Sequence, residues 1–117
     1  MQTIYEVRVE VEPAIAEDYF YWLKRHMADL VQAAGFEKAV LLVPDEPTHE
    51  KRVWVVQYFA PSRESLENYL THLAPSFRAD GLKRFGNRFQ ASRRIMSFQF
   101  QVPDLTARPD DLHIVSI

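Results

Sequence analysis

The sequence predicts an α+β domain in which four strands and two helical segments alternate as β-α-β-β-α-β. Three observations lead there. The chain opens on a strict period-two alternation, a period-3.6 apolar stripe follows after a proline, and the same strand-to-helix succession returns beyond a polar turn in the middle.

In the first strand Tyr5, Val7, Val9 and Val11 alternate with Glu6, Arg8, Glu10 and Glu12, so one face is apolar and the other charged. Pro13 suits the first turn of a helix, where its missing N–H costs nothing, and Glu17 and Asp18 complement the positive helix start. Ile15, Tyr19, Trp22, Leu23, His26, Leu30 and Ala33 then fall on one helical stripe, and Gly35 supplies the stop. Residues 36–43 read as a second strand. Pro44 opens a polar turn that runs to Lys51, and the β-branched and aromatic run 53–60 is the third strand. Ser62 is an N-cap for a helix carrying Leu66, Tyr69, Leu70 and Leu73; Pro75 breaks it. A further helical piece with Phe77, Leu82 and Phe85 ends at Gly86 and Asn87, and residues 89–100 form a long fourth strand. The domain is expected to close at 102. A tail, 103–117, follows, with a short terminal strand expected at 112–117.

This order pairs as a split β-α-β unit, the ferredoxin-like arrangement: one antiparallel sheet with its helices on one face. Strands two, three and four carry apolar residues at both parities, for example Val53 and Val55 against Trp54 and Val56. Helices can shelter one parity only. A homodimer through the sheet, covering the surface around Trp54, Met96 and Phe98, is the expected cover for the other.

Composition excludes whole classes of chemistry. The absence of cysteine among 117 residues removes disulfides, thiolate metal sites and cysteine nucleophiles, and suits a reducing cytoplasm. The sequence shows neither a basic-then-apolar leader nor a run of about 20 apolar residues, so neither export nor membrane insertion is expected. A formal charge of −2 argues for no global attraction to nucleic acid or membrane. Charge is nevertheless concentrated: Arg78, Lys83, Arg84, Arg88, Arg93 and Arg94 face one acid, Asp80, across residues 78–94. That stretch is either a solvated helix end and guarded strand edge or an anion site.

The set Ile4-Tyr5-Glu6-Val7, Trp22-Leu23 with His26, Gly35-Phe36, Gln57-Tyr58, Tyr69-Leu70, Ala74-Pro75, and Phe85-Gly86 through Arg93-Arg94-Ile95 resembles a bacterial domain-of-unknown-function family in the dimeric α/β-barrel superfamily. The resemblance spans about the first hundred residues. It implies a ferredoxin-like protomer that dimerises sheet to sheet, and no particular activity. Relatives in the superfamily include cofactor-independent monooxygenases, small-molecule isomerases, haem enzymes and stress-response proteins, among which fold alone cannot choose.

His26, in the middle of the apolar stripe, is the foremost candidate for chemistry: a buried imidazole can be tuned for proton transfer, and Tyr19 and Trp22 beside it could wall a small-molecule pocket between helix and sheet. The ordinary alternative is a core histidine bonded to a carbonyl or a tyrosine. Arg93 and Arg94 must point to opposite faces of a regular strand. One of them therefore approaches a buried side, with Glu6 or Glu10 as the expected ion-pair partner and an anionic ligand as the alternative. Trp54 and Tyr58 share a face and read as packing or interface. No metal and no cofactor are expected: His26, His49, His72 and His113 lack ligand spacing, and Gly35, Gly81 and Gly86 form no phosphate loop. An RNA-recognition module has the same element order, but residues 51–58 lose the glycine that module needs and place Val53 and Val55 at its two stacking positions. Nucleic acid is not an expected partner.

Three functions follow as expectations. The first is a small dimeric domain that binds a small organic molecule between helices and sheet. The second is a cofactor-independent monooxygenase- or isomerase-like enzyme with His26 as acid/base, Tyr19 and Trp22 as walls and Arg93 or Arg94 orienting an anion. The third is an interaction module using the basic 78–94 face.

Overall fold

A computed structural model describes residues 2–45 and 50–103. The expected terminal strand, His49 and His113 lie outside them. Strands β1 (Thr3–Val11), β2 (Lys38–Leu42), β3 (Arg52–Ala60) and β4 (Phe89–Ser97) form one antiparallel sheet in the order β2-β3-β1-β4. Helices α1 (Ala16–Ala34), α2 (Arg63–His72) and α3 (Ala74–Phe85) complete a β-α-β-β-α-α-β chain. Each crossover skips one strand: β1 reaches β2 past β3, and β3 reaches β4 past β1. This is the ferredoxin-like interleaving, and it puts the first and third strands at the centre of the sheet.

The local signals act where the sequence places them, with shifts of a few residues. Pro13 starts a 3₁₀ turn, Pro13–Ile15, that buries Ile15 before α1 begins. Gly35 ends α1 in the left-handed conformation at φ 69°, a position that favours a residue without Cβ, and the Phe36 N–H returns to the Val31 carbonyl at 3.1 Å. That bond explains why β2 is shorter than the apolar run 36–43: Phe36 belongs to the helix stop, buried against Tyr69, and strand pairing starts two residues later. The Ser62 hydroxyl accepts from the Ser65 N–H at 3.1 Å, capping α2. Pro75 sits in the first turn of α3, so the chain breaks at Leu73 and restarts. β4 stops at Ser97 rather than 100. The Phe98 N–H makes one more bond, to the Gln2 carbonyl at 3.0 Å, and Phe100 stands exposed.

The register gives the sheet two distinct faces. Towards the helices lie Tyr5, Val7, Val9 and Val11 of β1, Trp54, Val56 and Tyr58 of β3, and Phe89, Ala91, Arg93 and Ile95 of β4. Trp54 therefore does not share a surface with Met96, as the sequence suggested; it is buried in the core, stacked on Phe20 and parallel to Tyr19. The outer face is organised in rows. Ile4 lies between Phe59 and Met96, Glu6 between Gln57 and Arg94, Arg8 between Val55 and Ser92, and Glu10 between Val53 and Gln90. Apolar surface is thus gathered in the first row and on β3, with Val40 and Leu42 of β2 beside it.

Candidate ligand cavity between the helices and the sheet

The helix layer does not close completely on the sheet. A cavity of about 300 Å³ remains, floored by Tyr5, Val7, Val9 and Ala91 and roofed by α1 and α3. That volume lies at the small end of the range for ligand pockets, roughly 300–1,000 Å³.

One stretch of α1 supplies one aromatic wall. Tyr19, Trp22 and His26 follow one another at helical spacing on the sheet-facing side, and all three line the cavity. The His26 imidazole stacks on the Trp22 indole, with centroids 4.5 Å apart, and meets the edge of Phe77 at 5.5 Å. Burial holds its pKa below the ordinary imidazole value, with Asp80 and Asp29 pulling the other way and Arg93 adding to the depression. The ring is accordingly neutral at neutral pH, with one nitrogen free to accept a proton. Trp22 is fixed from outside the cavity, where its Nε1–H donates to Asp80 at 2.9 Å. It is fixed from inside the helix layer by Gly81, where an added Cβ would come within 3.0 Å of the indole. Gly81 holds the inward position of α3 that the sequence assigned to Leu82; Leu82 stands at the rim, largely exposed.

The far wall is a tyrosine cluster. The rings of Tyr58 and Tyr69 lie 5.9 and 6.0 Å from that of Tyr5, and Arg78 on α3 donates from Nη2 to the Tyr5 hydroxyl at 3.1 Å. Burial pushes the Tyr19, Tyr58 and Tyr69 hydroxyls far above the ordinary phenol range, so they remain O–H donors.

The adjacent arginines part company here. Arg94 lies on the outer face and is ion-paired with Glu6, whose other carboxylate oxygen accepts from Gln57 Nε2 at 2.9 Å. Those two hydrogen bonds lower the Glu6 pKa. Arg93 lines the cavity, opposite Val7, but from the edge strand, where it stays exposed and not buried as the sequence suggested; its charge lowers the hydroxyl pKa values of Tyr19, Tyr58 and Tyr69 against the larger effect of burial. The sequence expected the inward arginine to be the one paired with Glu6 or Glu10. The register reverses this: the even-numbered glutamates of β1 project outwards with Arg94, and Arg93 makes no ion pair or hydrogen bond among the described residues.

The basic stretch 78–94 is likewise divided. Arg78 and Arg93 enter the cavity, Arg84 pairs with Asp80 on α3, Arg88 with Glu12 at the end of β1, and Arg94 with Glu6 behind the sheet. They do not make one basic face. Among the described residues no group of three histidines or carboxylates is arranged to hold a metal ion. Nor is any helix of the described residues long and apolar enough to cross a membrane.

Of the sequence-predicted site residues, Tyr19, Trp22, His26 and Arg93 meet in one cavity and Arg94 does not. Sequence reasoning missed Arg78, the Tyr5–Tyr58–Tyr69 cluster and Gly81. The last carried a readable signal, because a glycine inside a helix costs about 1 kcal/mol against alanine and asks for a close neighbour.

Element order, sheet order and the helix-covered cavity define a ferredoxin-like α+β domain, and solved structures share it. A point mutant of SnoaB, a cofactor-independent oxygenase from Streptomyces nogalater, superposes with a TM-score of 0.66 at 16% identity over 88% of this chain and 98% of that one. A dimeric ferredoxin-like protein from an uncultured marine organism gives 0.62 at 13% identity over 85% and 98%. An EthD family protein from Bacillus halodurans gives 0.59 at 12% over 83% and 99%. At these identities the likeness is one of fold. The chain belongs to the family described as domain of unknown function DUF4286, whose model matches residues 2–99. Curated proteins gave no match.

Proposed function

We propose that this protein binds a small organic molecule in the cavity between α1, α3 and the sheet, and that it works as a homodimer through the outer sheet face. The observation that carries the binding reading is the lining: apolar and aromatic walls with a few convergent polar groups, His26, Arg78 and Arg93, at ligand-pocket volume. A packed core has no use for such an opening. The dimer reading draws on the outer row of Ile4, Phe59 and Met96 with Val55 and Val40 alongside, an apolar surface that a second sheet would cover. It also draws on the dimeric state of the marine ferredoxin-like neighbour. The lack of cysteine suits residence in the cytoplasm.

Native mass spectrometry of the purified protein tests both halves. The expected species is a dimer that retains, or takes up, a small organic molecule; a monomer at high micromolar concentration overturns the dimer.

A second reading, a cofactor-independent oxygenase or isomerase, is favoured by one specific observation: the His26 imidazole is stacked at the cavity wall without a hydrogen bond among the described residues, where burial lowers its pKa. It is the group such a reaction needs as a base. The fold likeness to SnoaB is in keeping with it. In that reading His26→Gln abolishes turnover and keeps the fold; undiminished turnover removes His26 from the chemistry.

A further inference from the structure

Among the described residues the cavity lining carries charge of one sign only. Two guanidinium groups, Arg78 and Arg93, line it from exposed positions, and no aspartate or glutamate of those residues does. Two neighbouring carboxylates are engaged elsewhere. Asp80 is engaged outside by Trp22 and Arg84, and Glu6 is engaged behind the sheet by Arg94 and Gln57. Sheet geometry enforces this. Side chains alternate strictly along a strand, so every glutamate in the central part of β1 faces outwards whenever Tyr5, Val7 and Val9 face inwards. Among the described residues Arg93 sits on an edge strand with Val7 as its only cross-strand neighbour, and α3 adds another cation, Arg78, to the same lining. Among the described residues the outward arginine, one residue further along, has a carboxylate partner, whereas Arg93, exposed on the edge strand and bordering both the cavity and the outer-face hollow beside Glu6, has no ion pair.

From this we infer that the ligand is a small aromatic monocarboxylate, held by its carboxylate on the Arg93 guanidinium with its ring between Trp22, His26 and the β1 valines. The inference rests on the binding reading above and narrows it. A single uncommitted guanidinium matches one carboxylate through its two-pronged donor geometry. Arg78 is already spending a donor on the Tyr5 hydroxyl, which places it as a supporting charge and not as a second clamp. The volume, about 300 Å³ against the roughly 30 Å³ share of one water, suits on the order of ten to a dozen heavy atoms, the size of one or two fused rings with a carboxyl group.

The test is titration calorimetry on the full-length protein at pH 7 with a matched pair of probes, 1-naphthoate and its neutral analogue 1-naphthamide. The wild type is expected to bind naphthoate at least about tenfold more tightly, the scale of a hydrogen bond to a charged group. Arg93→Met keeps an apolar stem and should level the two affinities while leaving the amide's unchanged, which also shows that the variant is folded. Arg93→Lys should restore part of the preference, and Arg94→Met, behind the sheet, should leave it intact. Equal wild-type affinities for the two probes, or a preference that survives Arg93→Met, overturns the assignment and leaves cavity binding standing. Failure of both probes to bind overturns the cavity reading together with it.

Discussion

The two faces of the sheet are built from the same strands and answer to different demands. On the outer face the central carboxylate is set against partners: Glu6 is shared between Arg94 and Gln57, directly across from it on either side. On the inner face one row, Val56–Val7–Arg93, has a cation and no anion, next to a row of two rings and one aliphatic side chain, Tyr58–Tyr5–Ile95. Consecutive residues of one strand, identical in type, thus stand in opposite electrostatic settings. The difference shows that residue type alone says little about an arginine's role; the chemistry of its row decides it.

That contrast can be broken most forcefully from the inside. Tyr58→Ala, at a residue 2% exposed in the centre of the inner face, is expected to cost about 3–5 kcal/mol in urea unfolding, whereas Val55→Ala on the outer face should cost about 1 kcal/mol in the separated subunit. Similar losses at the two positions would contradict the inner face as the principal core. Next in size, Phe59→Asp puts a carboxylate into the outer apolar row beside Ile4. It should weaken self-association by about 3 kcal/mol, seen as a monomer in sedimentation at concentrations where the wild type is dimeric, with the far-UV spectrum retained. A dimer undisturbed by Phe59→Asp would move the interface elsewhere.

Two pH profiles sharpen the same contrast with smaller effects. The His26 pKa is depressed on folding, so below the ordinary imidazole value near 6.5 the unfolded chain takes up a proton first. Stability should therefore fall as pH drops from about 6.5 towards the depressed value, against the opposing pull of Asp80 and Asp29, and His26→Gln should flatten that segment of a melting-temperature profile. Glu6 is the outer counterpart. Its pKa is also lowered, so its contribution is complete above the ordinary carboxylate range and is lost as pH falls through its folded value. Because Arg94 is mostly exposed, Glu6→Gln should remove no more than about 1 kcal/mol at neutral pH and only the acid end of the profile. A larger loss would mean that the pair is buried by a second subunit.

Much of this was legible in the residues. Period and punctuation were enough for β1, α1 and the break at Pro75, because each depends on neighbours within one or two turns. Tyr19, Trp22 and His26 were found together for the same reason: they share one helical face. The ends of β2 and β4 were misjudged where an apolar run outlasts its pairing. Phe36 is spent on stopping a helix, and Phe98 and Phe100 pass the end of the sheet. What the sequence could not supply was register. Whether Arg93 or Arg94 meets Glu6 is decided by how β4 aligns on β1, a long-range fact with no local signature. Arg78 was hidden in the same way, since its contact with Tyr5 spans 73 positions.

The chain contains only two tryptophans, and their surroundings differ. Trp54 is sealed between Tyr19 and Phe20, while Trp22 borders the cavity with its indole tethered to Asp80 and seated on Gly81. Replacing Trp54 with phenylalanine would leave a single indole, at the cavity wall, so under excitation selective for tryptophan the variant would carry its own optical gauge of occupancy. Screening for whatever enters would then need neither a label nor a known reaction.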